Sequence, residues 1–209
     1  MWSMFIKKRR IHTVLYVIIS LVVAVLIGFT VITVGRSDAT GTVAITSVST
    51  AKGQVALTVN VYEHTDVESY LDIFKKAKVT FFISEEFQEA CPEKVKMIIE
   101  KDHSIGILEN GENSISKNEF YDRLATRLER LARITDKNIS LIRIDGGDCD
   151  EVIIKNIYTV GLLPVQWSED EDDFSQGDIV LIKDIRAAEE AIKKSAADGL
   201  ETVTVDELI

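Results

Sequence analysis

Twenty-one consecutive uncharged residues, Val14 to Val34, limit this chain more than any other feature. A helix of that length rises about 30 Å, the thickness of one hydrocarbon core. Every face of it is apolar, which disfavours a core helix with one wet side. Lys7, Lys8, Arg9 and Arg10 precede the run and Arg36 stands alone after it. Such asymmetry keeps the N-terminus in the cytoplasm and sends the rest outward. A cleaved signal has a shorter apolar stretch and a small-x-small cleavage site; Val34-Gly35-Arg36-Ser37 is a poor one. The expected organisation is a cytoplasmic basic segment at 1–12, a transmembrane anchor at 13–35, a linker and lead-in at 36–53, and one folded domain at 54–209.

Charge divides along the same line. The chain carries −10 and its first 36 residues carry +5, so the remainder carries −15. A domain that acidic repels polyanions, which excludes nucleic acid as a partner. The membrane and cell-wall glycan or envelope proteins are the partners the organisation suggests. Cys91 and Cys149 are the only cysteines, 58 positions apart. They form no C-x-x-C motif and read as separate thiols.

Beyond the lead-in, strand and helix patterns alternate about seven times, the mark of a parallel sheet, open or closed into a barrel. Val55–Val61 is an apolar, β-branched run and reads as a buried strand. Val67, Tyr70, Leu71 and Phe74 recur at helical spacing over 66–76, with Thr65 as the expected N-cap. Further strands are expected at 79–83, 104–108, 139–143, 162–167, 179–183 and 202–205, with helices at 92–101, 116–135, 150–160 and 187–197. In the helix at 116–135, Phe120, Leu124, Leu128 and Leu131 form the apolar stripe, and its Arg and Glu residues read as the solvent side. Chemistry in such folds gathers at the C-terminal ends of the strands.

The stretch V-T-F-F-I-S-E-E-F-Q-E-A-C-P-E-K-V-K-M-I-I-E-K-D-H-S-I-G-I, Val79 to Ile107, resembles the polysaccharide deacetylases of the NodB-homology type, carbohydrate esterase family 4. Q-V-A-L-T at Gln54–Thr58, Arg143, Gln166-Trp167-Ser168 and G-D-I-V-L at Gly177–Leu181 follow in the family's order. The anchor and lead-in bring it nearest the sporulation-associated members. The resemblance implies a distorted (β/α) barrel behind one transmembrane helix. It also implies removal of N-acetyl groups from glycan by a divalent metal such as zinc, an Asp base and a His acid.

The residues at those positions depart from that chemistry. The base position holds Asn60, a neutral amide, and the general-acid position holds Lys183. The three metal-ligand positions hold Val61, Leu108 and Glu112; two lack a donor atom, and one carboxylate is a poor zinc site. The expectation is therefore that no metal is bound and that Val61 and Leu108 fill its place with apolar atoms. Arg143 and Asp170 remain at their family positions, and Tyr62, His64, Asp145, Asp148 and Trp167 are candidates for the pocket wall. The favoured function is a catalytically inactive, deacetylase-like protein that binds or assembles at the cell or spore envelope. An enzyme with a relocated mechanism built on Glu112, Asp145, Asp148 and Asp170 is one alternative. A protein-interaction module without a glycan ligand is another.

Overall fold

The structure is a computed structural model that describes residues 43–49, 53–110, 117–147, 150–168 and 173–209, within one compact unit spanning Gly41–Ile209. The expected span at Val14–Val34 lies outside the described residues. Among the described residues, no helix is long and apolar enough to cross a membrane.

Seven parallel strands form the sheet: β1 Gln54–Val61, β2 Thr80–Ile83, β3 Ser104–Glu109, β4 Leu141–Ile144, β5 Leu163–Pro164, β6 Ile179–Ile182 and β7 Glu201–Val203. Their order is β5-β4-β3-β2-β1-β6, and β7 pairs with the first residues of β1. The helices are α1 Val67–Ile73, α2 Glu85–Ala90, α3 Pro92–Glu100, α4 Lys117–Thr135, α5 Glu151–Thr159, α6 Ile185–Ala197 and α7 Val205–Leu208. Asp66 rather than Thr65 caps α1, because its carboxylate reaches Ser69 N at 3.2 Å. The Thr65 hydroxyl instead accepts from Tyr62 N at 2.9 Å. The short helices α2 and α7 were not legible as periodic patterns. Each starts at a side-chain cap, Ser84 and Thr204 respectively.

The fifth strand is shorter than its apolar run, and the lead-in makes up the difference. Ile45 N donates to Pro164 O at 2.8 Å, and Gln166 N returns a bond to Ile45 O at 2.9 Å. On the other side Val48 N donates to Gly177 O at 2.7 Å and Ile179 N to Thr46 O at 3.2 Å. The segment 45–48, expected as linker, thus joins the β5 edge to the β6 edge and closes the ring of strands. Two unpaired edges would otherwise expose a row of backbone donors and acceptors.

Alternation along the strands makes two cores. Val55, Leu57, Val59 and Val61 of β1 face the helices, with Phe81, Ile83, Ile105 and Ile107. Ala56, Phe82, Leu108, Leu141, Val165 and Ile179 face inward, and Val205 and Leu208 of α7 pack with them. Val205 N donates to Thr80 Oγ1 at 2.8 Å, which seats α7 against β2. Gly106 leaves space for the ring of Phe82: a Cβ there would stand 2.7 and 2.8 Å from two Phe82 ring carbons and 3.1 Å from Leu141 Cβ. Gly106→Ala is expected to cost about 1–3 kcal/mol through overpacking, read as a lower urea midpoint.

His103 lies at the start of β3, 3% exposed, edge-on to Phe81 at 5.4 Å between ring centroids. Neither ring nitrogen has a partner among the described residues. Burial holds its pKa down at about 4, against an ordinary 6.5. The unfolded chain therefore binds a proton at mildly acidic pH that the folded protein refuses. Its contribution is whole above pH 6.5 and is lost as the pH falls toward 4. Unfolding measured across this window is expected to lose on the order of 2 kcal/mol, and His103→Phe to remove most of that slope.

Candidate functional site

The C-terminal end of β1 presents Thr58 and Asn60 inward, and β4 presents Arg143. The alternation that sends Val59 and Val61 to the helix side dictates this. Arg143 is fully buried. Its Nη1 donates to Thr58 Oγ1 at 2.9 Å and to Asn60 Oδ1 at 3.0 Å. Nε points to Val165 O and Nη2 to Gln166 O, both at 3.4 Å. The guanidinium carbon lies 4.0 Å from the centre of the Phe82 ring and 5.4 Å from that of Trp167. Every acceptor among the described residues is neutral. Desolvation accordingly pushes the arginine down to about 9, which leaves it charged at neutral pH.

A chain of polar contacts runs from this cation to the surface. Asn60 takes the guanidinium on Oδ1, and its side chain favours the ionised form of the Tyr62 phenol against the burial that disfavours it. Tyr62 donates to Asp145 Oδ1 at 2.8 Å, and Gly146 N donates to the same oxygen at 2.9 Å. Burial raises the Tyr62 phenol, and the Asp145 contact raises it further. β1 and β4 are separated in the sheet by β2 and β3, so the Tyr62–Asp145 bond crosses the mouth of the ring. Gly146 and Gly147 follow with φ of +79° and +81°, a left-handed turn that side chains disfavour. A Cβ on Gly147 would stand 3.2 Å from the Trp167 indole, so the turn and the ring pack face to face.

The metal-ligand positions do not assemble. Val61 is fully buried in the helix-side core, whereas Leu108 is buried inside the ring. The expectation that both fill one vacated site is corrected: they lie on opposite faces of the sheet. Glu112, Asp148 and Asp170 lie outside the described residues. Among the described residues, no group of three His, Cys, Asp or Glu is placed to hold a metal. The only oxygen ligand at the base position, Asn60 Oδ1, is committed to a guanidinium, whose charge opposes a nearby cation. The described residues at these positions do not fit a divalent metal.

Of the other candidates, Trp167 is half-buried beside Arg143. Lys183 is exposed just past β6. His64 points into solvent with a 90% exposed side chain, near Glu63, and is not part of the mouth. Cys91 carries a free thiol; Cys149 lies outside the described residues.

A second charged cluster, unforeseen in the sequence, braces the strand ends from the helix side. Glu109 is 2% exposed and meets Arg127 Nη1 at 2.6 Å and Arg123 Nη2. Arg127 is 1% exposed and also donates to Leu108 O at 3.1 Å and Ile83 O at 2.8 Å. Burial works against both charges, raising the Glu109 carboxyl and lowering the Arg127 guanidinium. The available signal was the four-residue spacing of Arg123 and Arg127 beside Leu124 and Leu131, which puts them on the packed face of α4. Gln166 was also missed as an inner polar group; its Nε2 donates to Ile144 O at 3.0 Å.

A family model for polysaccharide deacetylase matches residues 47–165. No curated protein matches the sequence. Among solved structures, the chain is similar to a family 4 carbohydrate esterase from Bacillus anthracis. Their identity is 20%, with a TM-score of 0.71, over 79% of this chain and 86% of that one. It is also similar to a family 4 pseudoenzyme from Bacillus anthracis, with 22% identity and a TM-score of 0.68 over 80% and 69% of the two chains. For Bacillus subtilis PdaA, a family 4 carbohydrate esterase, the values are 19% and 0.69 over 81% and 86%. At these identities the likeness concerns the fold.

Asn60→Asp places a carboxylate on a guanidinium that is already desolvated. It is expected to raise stability at neutral pH by about 1–3 kcal/mol, measured by chemical unfolding. The aspartate is held in its ionised form by Arg143, so the gain is present above the ordinary carboxylate range and fades on acidification.

Proposed function

Because the chain belongs to the polysaccharide deacetylase family, its residues 47–165 matching the family model, we propose that it is a non-hydrolytic member that binds cell-wall glycan at the outer face of a membrane. The contact between Asn60 and Arg143 carries this reading. Hydrolysis of an acetamide at neutral pH needs a generated hydroxide and a group that takes its proton. An amide accepts no proton in that range, and its oxygen here already serves the arginine. Leu108 and Val61 offer no electrons to a metal.

Binding needs less than hydrolysis does. Tyr62, 45% exposed, and the half-buried Trp167 stand at the mouth, and aromatic rings of this kind present faces and edges to sugar rings. The connection from β6 to α6 is two residues, so the mouth is shallow on that side. A fold neighbour described as a family 4 pseudoenzyme supports the idea that this architecture persists without activity. The uncharged run Val14–Val34 and its flanking cations support an anchor that holds the domain outside the cytoplasm, at the cell or spore envelope.

The test is made on the full chain in detergent. Substoichiometric zinc is expected, with no acetate release from acetylated chito-oligosaccharides or peptidoglycan, while peptidoglycan sediments the protein. Acetate release that a chelator abolishes would overturn the proposal.

A further inference from the structure

We propose that the mouth of the ring selects de-N-acetylated glycan, an amino-sugar polymer bearing free ammonium groups, over the N-acetylated polymer. The inference rests on the glycan-binding reading and adds the class of ligand.

Donors and acceptors are unevenly distributed there. An acetamide ligand needs a donor for its carbonyl. The strongest donor, Arg143, is fully buried and committed to Thr58, Asn60, Val165 and Gln166. The Tyr62 hydroxyl is given to Asp145. Two acceptors are left over. Asp145 receives both of its bonds on Oδ1, and Oδ2 takes none among the described residues. Gln166 is 7% exposed at the end of the fifth strand, and its Oε1 is buried without a partner among the described residues. Acceptors left unpaired at the rim suit a ligand rich in donors, and an ammonium brings three hydrogens and a charge.

Charge points the same way. The connections leaving the C-terminal ends of the strands carry Glu63, Asp66, Asp145, Asp150 and Asp184 against Lys183 among the described residues. Among the described residues these connections thus hold five acids against one lysine. A field of that sign concentrates cationic polymers and rejects anionic ones. Asp145 is the member held across the mouth, by the phenol of Tyr62 and the amide of Gly146.

The test is titration of the full chain with the glucosamine tetramer, the N-acetylglucosamine tetramer and tetralysine at pH 6. The signal is Trp167 fluorescence in a Trp2→Phe background. The glucosamine tetramer is expected to bind about tenfold more tightly than its acetylated counterpart, with the preference shrinking as salt is added. Asp145→Asn is expected to erase most of the preference. If the acetylated tetramer binds equally well or better, this inference fails and the glycan reading stands. If neither sugar binds, the glycan reading itself fails. If tetralysine matches the glucosamine tetramer, or Asp145→Asn leaves the preference unchanged, the selectivity is bulk charge and the inference is overturned. Circular dichroism of Asp145→Asn separates a loss of fold from a loss of selectivity, and Asp145→Glu, which keeps the charge, is expected to retain part of the preference.

Discussion

A guanidinium with no exposed surface and only neutral acceptors among the described residues is the constraint around which the upper half of the ring is arranged. Moving such a cation from water into protein costs several kcal/mol unless its donors are used. Arg143 uses them on two strands besides its own: Thr58 and Asn60 of β1, and the carbonyls of Val165 and Gln166 just past β5. The Phe82 face supplies further stabilisation from β2. The arginine thereby ties non-adjacent strands across the interior, which inter-strand backbone bonds cannot do. Asn60 is suited to this arrangement because its side-chain oxygen accepts from the arginine without adding a charge.

The opposite face of the same strand ends shows the complementary solution. Leu108 and Glu109 are neighbours in β3, so alternation sends one into the ring and the other toward α4. Glu109 then meets two arginines of that helix, and Arg127 reaches across to the carbonyl of Ile83 in β2. The strand ends are clamped from inside by one arginine and from outside by an ion cluster. Removing one partner from either would leave a buried charge uncompensated, which is more damaging than never having had the pair.

Much of this was legible in the sequence. The period-two run of β1 and the helical spacing of Val67, Tyr70 and Leu71 located their elements, and the family resemblance ordered the strands. Asn60, Arg143, Tyr62, Asp145 and Trp167 do meet at one end of the ring. What escaped has physical causes. Arg127 reads as solvent-facing because long cationic side chains usually are, and only its contact with Glu109, eighteen residues earlier in the chain, puts it inside. Val61 and Leu108 share a role in the family's motif but not a face of the sheet, because parity along a strand is a property of register. Segment 45–48 has no strong β pattern; it pairs because two strand edges need a partner. His64 looked like a wall residue by position in the chain, yet its loop turns through the Thr65–Tyr62 contacts and leaves the imidazole in water.

The separation between ring and rim bears on how a hydrolase fold can acquire a binding role. The inward side chains that hold the ring together are apolar or neutral, apart from Arg143, and their packing depends on volume and rotamer. The described acids of the connecting loops lie outside that core, and Asp66, Asp150 and Asp184 among them cap helices. Asp145 differs in its partner, since the Tyr62 hydroxyl donates to it from the other side of the ring. Specificity that depends on Asp145 therefore inherits the spacing of the strand ends, whereas the capping acids are oriented by their own helices.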